Sequence, residues 1–510
     1  MGLSVPGLVA SVLFYALIVA VGFWGARRRH GGGPSANPSE DLMLGGRSVS
    51  LVVGVFTVIG ISRGPCPGSR KDIFVRFCST VASFDASPSP RARAVGALFS
   101  GPMWRARHVT MLDPLEQAFG SRVTALLFLP ALLGEVFWCG AILNALGATV
   151  SVITGLGHVT CVLVTASVVT VYTCIGGLYS ITYTDVLQLL LMFVGLVRKP
   201  ELPHSRGQHR ADIAFLSFYV HDVVFNQIPN TPLDIIFLST FNKKKNLFQR
   251  VLSAKTEFRA KALPYAGCVG TLVLSVPVLL LGLVARAARW QDTSYTSASG
   301  GPASPLDDDS QWSLLLPLTL QHLTPASVSF LGQGAVAAAA MSSADACMLS
   351  SGALFTRNVY VPLLRPKASE VEKVWVLRTS IAVTALMSST VAATVDSVYG
   401  LSIIMSDLVY VMLFPQLLVV VHFPSLCNTY GSVAAFFVGL GLRAVGGEPV
   451  LGIPALLRYP YFDEATQRQL FPLKTVAMLA SLATLVVVSA AAKATFRAGL
   501  LSPRYDLLHC

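Results

Sequence analysis

Charged residues are scarce in this chain. Asp, Glu, Lys and Arg make up 13% of its 510 residues, while hydrophobic residues make up 53%. Soluble domains carry about 25% charged residues, so the composition excludes a soluble enzyme and indicates an integral membrane protein. The nine cysteines show neither a CxxC pair nor a zinc-type His spacing, which argues against a metal cluster or a disulfide framework. No Asn-x-Ser/Thr acceptor site and no nucleophile–base constellation are present.

Long apolar runs are abundant. Crossing a bilayer takes about 20 apolar residues as a helix, so the runs predict ten or eleven recognisable spans, some of them short. We therefore expect one polytopic, all-α membrane unit. The runs lie near Gly7–Gly25, Ser48–Ile61, Val123–Ile153, Val159–Gly176, Val186–Val197, Ala262–Ala285, Ala326–Phe355, Val374–Val395, Leu401–Val421, Gly431–Leu442 and Thr475–Ala492.

The basic residues predict the orientation of the chain in the bilayer. Arg27–Arg29 follow the first run, and four basic residues lie between Arg357 and Lys373, so both segments are predicted to be cytoplasmic. The segment with Asp307–Asp309 is then predicted to be outside. The net charge of +12 mostly reflects cytoplasmic loops, and no nucleic-acid partner is expected.

The stretch Leu331–Asn358 predicts a long buried helix with a polar patch at its middle. Asp345 is the only formal charge between Ala326 and Thr356, and it lies three residues from Ser342, on the same helix face. Hydroxyls, carbonyls and a carboxylate at membrane depth suit a small cation, and an ionisable group inside a span indicates function. The alternative is that Ser342 and Ser343 are packing residues bonded to their own backbone.

Two further apolar runs contain candidate functional acids. Glu135 lies in Val123–Ile153 and shares a helix face with Trp138, three residues on, while Asp407 lies near one end of Leu401–Val421. We interpret Glu135 as functional, because a carboxylate in hydrocarbon is unfavourable without a partner. In contrast, we interpret the Gly176–Gly177 pair and the following Thr-Asp dipeptide at Asp185 as a helix break and a cap.

Several motifs resemble one family. GGLYSITYTDVLQ, which starts at Gly176, resembles the signature of the sodium:solute symporters, and AAMSSADACMLSS resembles their sodium-site helix. HVTMLDP, SDLVYVMLFPQLL, NTYGSVAA and RAVGGEPV resemble the choline-transporting members more closely. The resemblance implies a LeuT-type inverted-repeat core with nominally thirteen transmembrane helices. It implies one symporter domain over residues 1–503, followed by the short end 504–510.

The same resemblance implies a function and a sodium site. One Na⁺ would be held by the carbonyl of Ala339, by the hydroxyls of Ser342 and Ser343, and by second-span carbonyls within Phe56–Ile61. The implied activity is sodium-coupled, chloride-dependent choline uptake that supplies acetylcholine synthesis. The implied locations are the plasma membrane, the presynaptic terminal and synaptic vesicles.

The expected substrate cage is incomplete. A trimethylammonium group is held by aromatic faces, and the resemblance assigns Trp138 to such a cage. Ser62 and Lys244 stand at two other cage positions. The Arg/Pro/Ser-rich segment 63–93 replaces the helix that would carry the fourth aromatic residue of the cage. Segments 63–93 and 198–247 depart from the family pattern. Two alternatives therefore stay open: a sodium symporter of another organic solute, and a transport-deficient, receptor-like scaffold.

Overall fold

The fold was analysed in a computed structural model, which describes residues 5–29, 37–45, 99–197, 249–267, 281–282, 284–285, 288–293, 295, 305, 314–395, 398–448, 452–460, 462–463, 468–469 and 471–499. These residues are almost entirely helical, which confirms the all-α class. The strands among them are two residues long and pair antiparallel, β1 at Phe462–Asp463 and β2 at Arg468–Gln469. The second apolar run, Ser62, Lys244 and the segments 63–93 and 198–247 lie outside the described residues.

Eleven helices are numbered here in chain order. They are α1 Val5–Arg29, α2 Pro38–Leu44, α3 Asp113–Thr154, α4 His158–Val197, α5 Leu315–Leu323, α6 Ala326–Phe355, α7 Glu370–Thr394, α8 Val398–Leu408, α9 Phe414–His422, α10 Thr429–Val445 and α11 Leu473–Arg497. Residues 99–105, 249–252 and 257–267 are also helical. Short 3-10 turns lie at Trp290–Asp292 and Pro424–Leu426.

Five helical segments among the described residues are long and apolar enough to cross a membrane. They are Asp113–Thr154, His158–Leu191, Glu370–Thr394, Gly400–His422 and Leu473–Arg497. Shorter apolar helices cover Ser11–Arg27 and Thr429–Val445. Several apolar helices therefore agree with a multi-pass protein, while the expected number of thirteen is not confirmed.

The central helix α6 has 30 residues and is therefore about 45 Å long, enough to cross the hydrocarbon core. Its sequence is rich in small and apolar residues, with Asp345 as its one charged residue. It packs against α3, α4 and α7, and most of its residues from Ala337 onward are buried. Small side chains at these positions allow the neighbouring helices to approach closely.

The long helix α4 is broken at Gly177, as the glycine pair predicts. Gly177 has φ +53° and ψ −136°, a conformation that L-residues rarely adopt. A Cβ at this position would lie 2.4 Å from the carbonyl oxygen of Leu42. The break therefore allows the backbone of α2 to touch α4 and gives α4 two separately directed halves.

Two π-helical segments interrupt the α-helical geometry. Thr356–Leu364 continues α6, and Val409–Leu413 joins α8 to α9. Pro415 lies at the first turn of α9, just after the second π segment. Because proline removes a backbone donor and its ring clashes with the preceding turn, the irregular backbone falls just before it.

Candidate functional site

Ser342, Ser343 and Asp345 lie at the middle of α6, and each has 0% of its surface exposed. The serines were predicted as cation ligands and the acid as a functional group inside a span. Their burial is expected from the packing of α6 between α3, α4 and α7. Buried polar side chains need hydrogen-bond partners, so the contacts of these three residues define the chemistry of the site.

Asp185 on α4 is the partner of Ser342. The Ser342 hydroxyl donates to Asp185 Oδ1 over 2.5 Å. Arg250 Nη2 lies 2.9 Å from Asp185 Oδ2, and the two ionised side chains are 2% and 0% exposed. A hydroxyl has one proton and two acceptor lone pairs, so this contact leaves the Ser342 oxygen able to accept or to coordinate a cation.

The interpretation of Asp185 as a helix cap is wrong. Asp185 lies eight residues beyond the break at Gly177, inside α4, and its carboxylate is fully buried between Ser342 and Arg250. Thr184 bonds instead to the carbonyls of Ser180 and Ile181. The rule that marked Asp345, an acid within an apolar run, applies equally to Asp185 and would have found it.

Asp345 has a different partner. The hydroxyl of Tyr172, on the first half of α4, donates to Asp345 Oδ2 over 2.9 Å. Asp345 Oδ1 has no hydrogen-bond partner among the described residues. The side-chain amide of Gln188 lies beside Tyr172, within reach of its hydroxyl. One oxygen of a buried carboxylate is thus left open.

Ser343 and Ala339 lie one turn apart on α6. The Ser343 hydroxyl donates to the carbonyl oxygen of Ala339 over 3.4 Å, a long and therefore weak hydrogen bond. That contact is the backbone bond which the packing alternative predicts. Phe56–Ile61, the other predicted part of the sodium site, lie outside the described residues. The sodium assignment stays a prediction.

Glu135 and Trp138 lie on α3, which packs against α6. Glu135 is 1% exposed, and Trp138 is half-buried against the main hydrophobic core. Cys139, one turn beyond Glu135, is within electrostatic reach of both Glu135 and Asp345. The structure therefore brings the predicted acid of α3 toward the polar centre of α6.

Asp407 belongs to a separate ion network. Arg443 donates to Asp407 Oδ2 from Nε and Nη2 over 3.0 Å and 2.8 Å. Lys474 Nζ lies 3.0 Å from Asp407 Oδ1, and Arg443 also pairs with Glu448. The network joins α8, α10 and α11, so its contacts are those of a structural tie between helices.

Comparison with known families now identifies the class of protein. The model of the "Sodium:solute symporter family" matches residues 83–199 and 230–439. The chain belongs to the sodium:solute symporter family. Six relatives named high-affinity choline transporter 1 are 36–43% identical over 99–100% of this chain. The Drosophila melanogaster protein is 43% identical, with 82% of that protein covered, and the Homo sapiens protein is 38% identical, with 88% covered.

Solved structures support the fold. A Na⁺-coupled sialic acid symporter in a substrate-bound outward-open state superposes with a TM-score of 0.69 at 16% identity, covering 95% of this chain and 98% of that one. Mhp1, a nucleobase-cation-symport-1 family transporter, gives 0.50 at 13% identity, covering 92% and 97%. The expected LeuT-type transporter fold is confirmed, and the chain is a transporter homologue rather than an enzyme.

Proposed function

We propose that this protein takes up choline in symport with Na⁺ across the plasma membrane. The observation that carries the proposal is the similarity, along the whole chain, to six relatives named for high-affinity choline transport. The proposal also covers what the family resemblance implies: a dependence on chloride, a supply of choline for acetylcholine synthesis, and locations at the presynaptic terminal and in synaptic vesicles.

The geometry around α6 supports a cation at its middle. The Ser342 hydroxyl donates its hydrogen bond to Asp185, so its oxygen lone pairs are free to coordinate Na⁺ together with Ser343 and the Ala339 carbonyl. Arg250 compensates the charge of Asp185, so Asp185 orients Ser342 without adding a net charge to the site. Hard oxygen donors of this kind suit a small cation.

Trp138 and the nearby acids support an organic cation as the solute. A quaternary ammonium has no N–H to donate, and an aromatic face contributes about 0.5–2 kcal/mol to its binding. Trp138 is half-buried on α3, and Glu135 lies one turn before it, on the same side of the helix. Negative charge near the cage would raise the local concentration of choline.

Two sequence positions favour a second candidate function. Ser62 and Lys244 replace aromatic residues that the cage would need, and a lysine would repel choline. A scaffold that keeps the fold without transport, or a sodium symporter of another solute, would be expected to lose these aromatics. The uptake measurement below separates these functions from choline transport.

The test is uptake of radiolabelled choline into cells expressing the full chain, with surface labelling to count the protein at the membrane. We expect uptake in sodium chloride and little uptake when N-methylglucamine replaces sodium or gluconate replaces chloride. Normal surface protein with zero uptake would favour the scaffold. Choline uptake that does not depend on chloride would contradict only the proposed chloride dependence.

The sodium site is tested in the same cells with Ser342→Ala combined with Ser343→Ala. We expect the sodium concentration for half-maximal uptake to rise at least about tenfold, because each contact to a charged group contributes about 1.5–3 kcal/mol. The matched control is Ser351→Ala, since Ser351 lies on the same helix, is 1% exposed and bonds to Thr384. An unchanged sodium dependence in the double variant would refute the assignment.

A further inference from the structure

Tyr172 is a buried tyrosine whose hydroxyl reaches across a helix interface to an acid. It is 1% exposed, and its hydroxyl donates to Asp345 Oδ2 over 2.9 Å, from α4 to α6. The ring is held in place by α1, where a Cβ added at Gly22 would lie 3.0 Å from the Cβ of Tyr172. The position of the hydroxyl is therefore fixed by packing rather than by the hydrogen bond alone.

Asp345 depends on this hydroxyl. Arg250 is close enough to act on Asp345 electrostatically, but its Nη2 bonds to Asp185, and its Nε and Nη1 have no hydrogen-bond partner among the described residues. Within the described residues, Tyr172 is the side chain that donates to the carboxylate. A buried carboxylate with one satisfied oxygen and one open oxygen is an unfavourable arrangement unless a cation or a proton neutralises it.

We infer that Tyr172 is a positioning residue for the transported cation: its hydroxyl fixes Oδ2 of Asp345 and leaves Oδ1 open to a cation at the middle of α6. Tyr172 lies before the break at Gly177, and Asp185 lies after it. The first half of α4 thus contacts α6 through the Tyr172–Asp345 hydrogen bond, and the second half contacts it through the Asp185–Ser342 hydrogen bond. The inference rests on the proposed function only in requiring that a cation binds at α6.

The test is Tyr172→Phe, which removes the hydroxyl and keeps the ring. We expect the sodium concentration for half-maximal uptake to rise about tenfold, the effect of losing one hydrogen bond to a charged group. The choline concentration for half-maximal uptake at saturating sodium, and the amount of protein at the surface, should stay within about twofold of wild type. A merely structural hydroxyl would change the surface level and leave the sodium dependence alone.

The matched control is Tyr15→Phe. Tyr15 is also a buried tyrosine, 8% exposed, and its hydroxyl bonds to Thr165 of the same helix α4 over 3.0 Å, away from Asp345. We expect wild-type sodium dependence in this variant. If Tyr172→Phe and Tyr15→Phe have the same sodium dependence, the inference is overturned.

A second measurement keeps the inference testable if choline is not the solute. The melting temperature of the purified protein is measured with and without sodium, because a ligand that binds the native state stabilises it. We expect sodium to raise the melting temperature of the wild type and to raise it less in Tyr172→Phe, while adding Tyr172→Phe to Asp345→Asn should cause no further loss. Absence of a sodium effect in the wild type, or additive losses, would overturn the inference; a sodium effect without choline uptake would overturn only the proposed substrate.

Discussion

Two largely buried carboxylate–guanidinium pairs in the described part of the chain join helices, and they differ in how completely their atoms are satisfied. Asp185 and Arg250 are 0% and 2% exposed and meet through one contact of 2.9 Å. Asp407 and Arg443 are 2% and 12% exposed and meet through two contacts. The second pair is reinforced by Lys474, Glu448 and the carbonyl of Gly447.

The two pairs differ in which of the surrounding buried polar atoms lack a partner. In the Arg443 network, both oxygens of Asp407 have a cation within 3.0 Å. Around Arg250, by contrast, two nitrogens of Arg250 and one oxygen of Asp345 have neither a hydrogen bond nor an ion pair among the described residues. Buried polar groups without partners are rare in a purely structural network. We therefore propose that the Arg250 region admits an additional occupant. We call the Arg443 network closed because each carboxylate in it has an opposite charge in contact, although Oδ1 of Asp407 has no hydrogen bond among the described residues.

The largest expected effect comes from Arg250→Met. The substitution keeps an apolar side chain of similar length and leaves Asp185 as an uncompensated buried charge. We expect the free energy of unfolding to fall by about 3–5 kcal/mol, the usual consequence of breaking a buried pair. The measurement is the melting temperature of purified protein, together with the amount at the cell surface.

The control for this prediction removes both charges, with Asp185→Leu added to Arg250→Met. Replacing a whole buried pair by apolar residues is often neutral, so the melting temperature should recover most of the loss. Sodium dependence should be weaker in the double variant than in wild type, because Ser342 then lacks the carboxylate that accepts its hydrogen bond. A double variant as unstable as Arg250→Met alone would contradict the assignment of the instability to the unpaired charge.

The sequence predicted the class and the landmarks of the fold. Composition and apolar runs indicated an all-α membrane protein, and the glycine pair at Gly176–Gly177 predicted the break in α4. The small-residue, single-acid pattern of Leu331–Asn358 predicted α6 as the buried centre. These features are local: each depends on hydropathy or backbone freedom within one stretch of chain.

The partners of the polar residues could not be predicted in the same way. Asp185 and Ser342 are 157 positions apart, and Tyr172 and Asp345 are 173 apart. Spacing within a helix says which residues share a face, but not which neighbouring helix that face meets. Arg250 received no role from its sequence, because it stands between an atypical segment and an apolar run, and only burial against Asp185 reveals it.

A second prediction tests whether Trp138 contacts an organic cation. Trp138→Leu keeps apolar bulk and removes the aromatic face, so the choline concentration for half-maximal uptake should rise about 2- to 30-fold, the equivalent of 0.5–2 kcal/mol. Trp138→Phe retains a π face and should show a smaller change. Sodium dependence and melting temperature should stay near wild type in both variants. If Trp138→Leu and Trp138→Phe raise the choline concentration for half-maximal uptake equally, Trp138 has a packing role only.

The smallest effect is expected from Arg443→Met, the counterpart of Arg250→Met in the closed network. Asp407 keeps Lys474 at 3.0 Å, and Lys474 is 25% exposed, so water and salt help to compensate the carboxylate. We expect the free energy of unfolding to fall by less than about 3 kcal/mol, the loss expected when a buried charge is left without any counter-charge, because Lys474 still compensates Asp407. Melting curves at low and high salt measure this, and high salt should reduce the difference from wild type. A loss as large as that of Arg250→Met would abolish the distinction between the two pairs, since both would then behave as buried charges without an alternative partner.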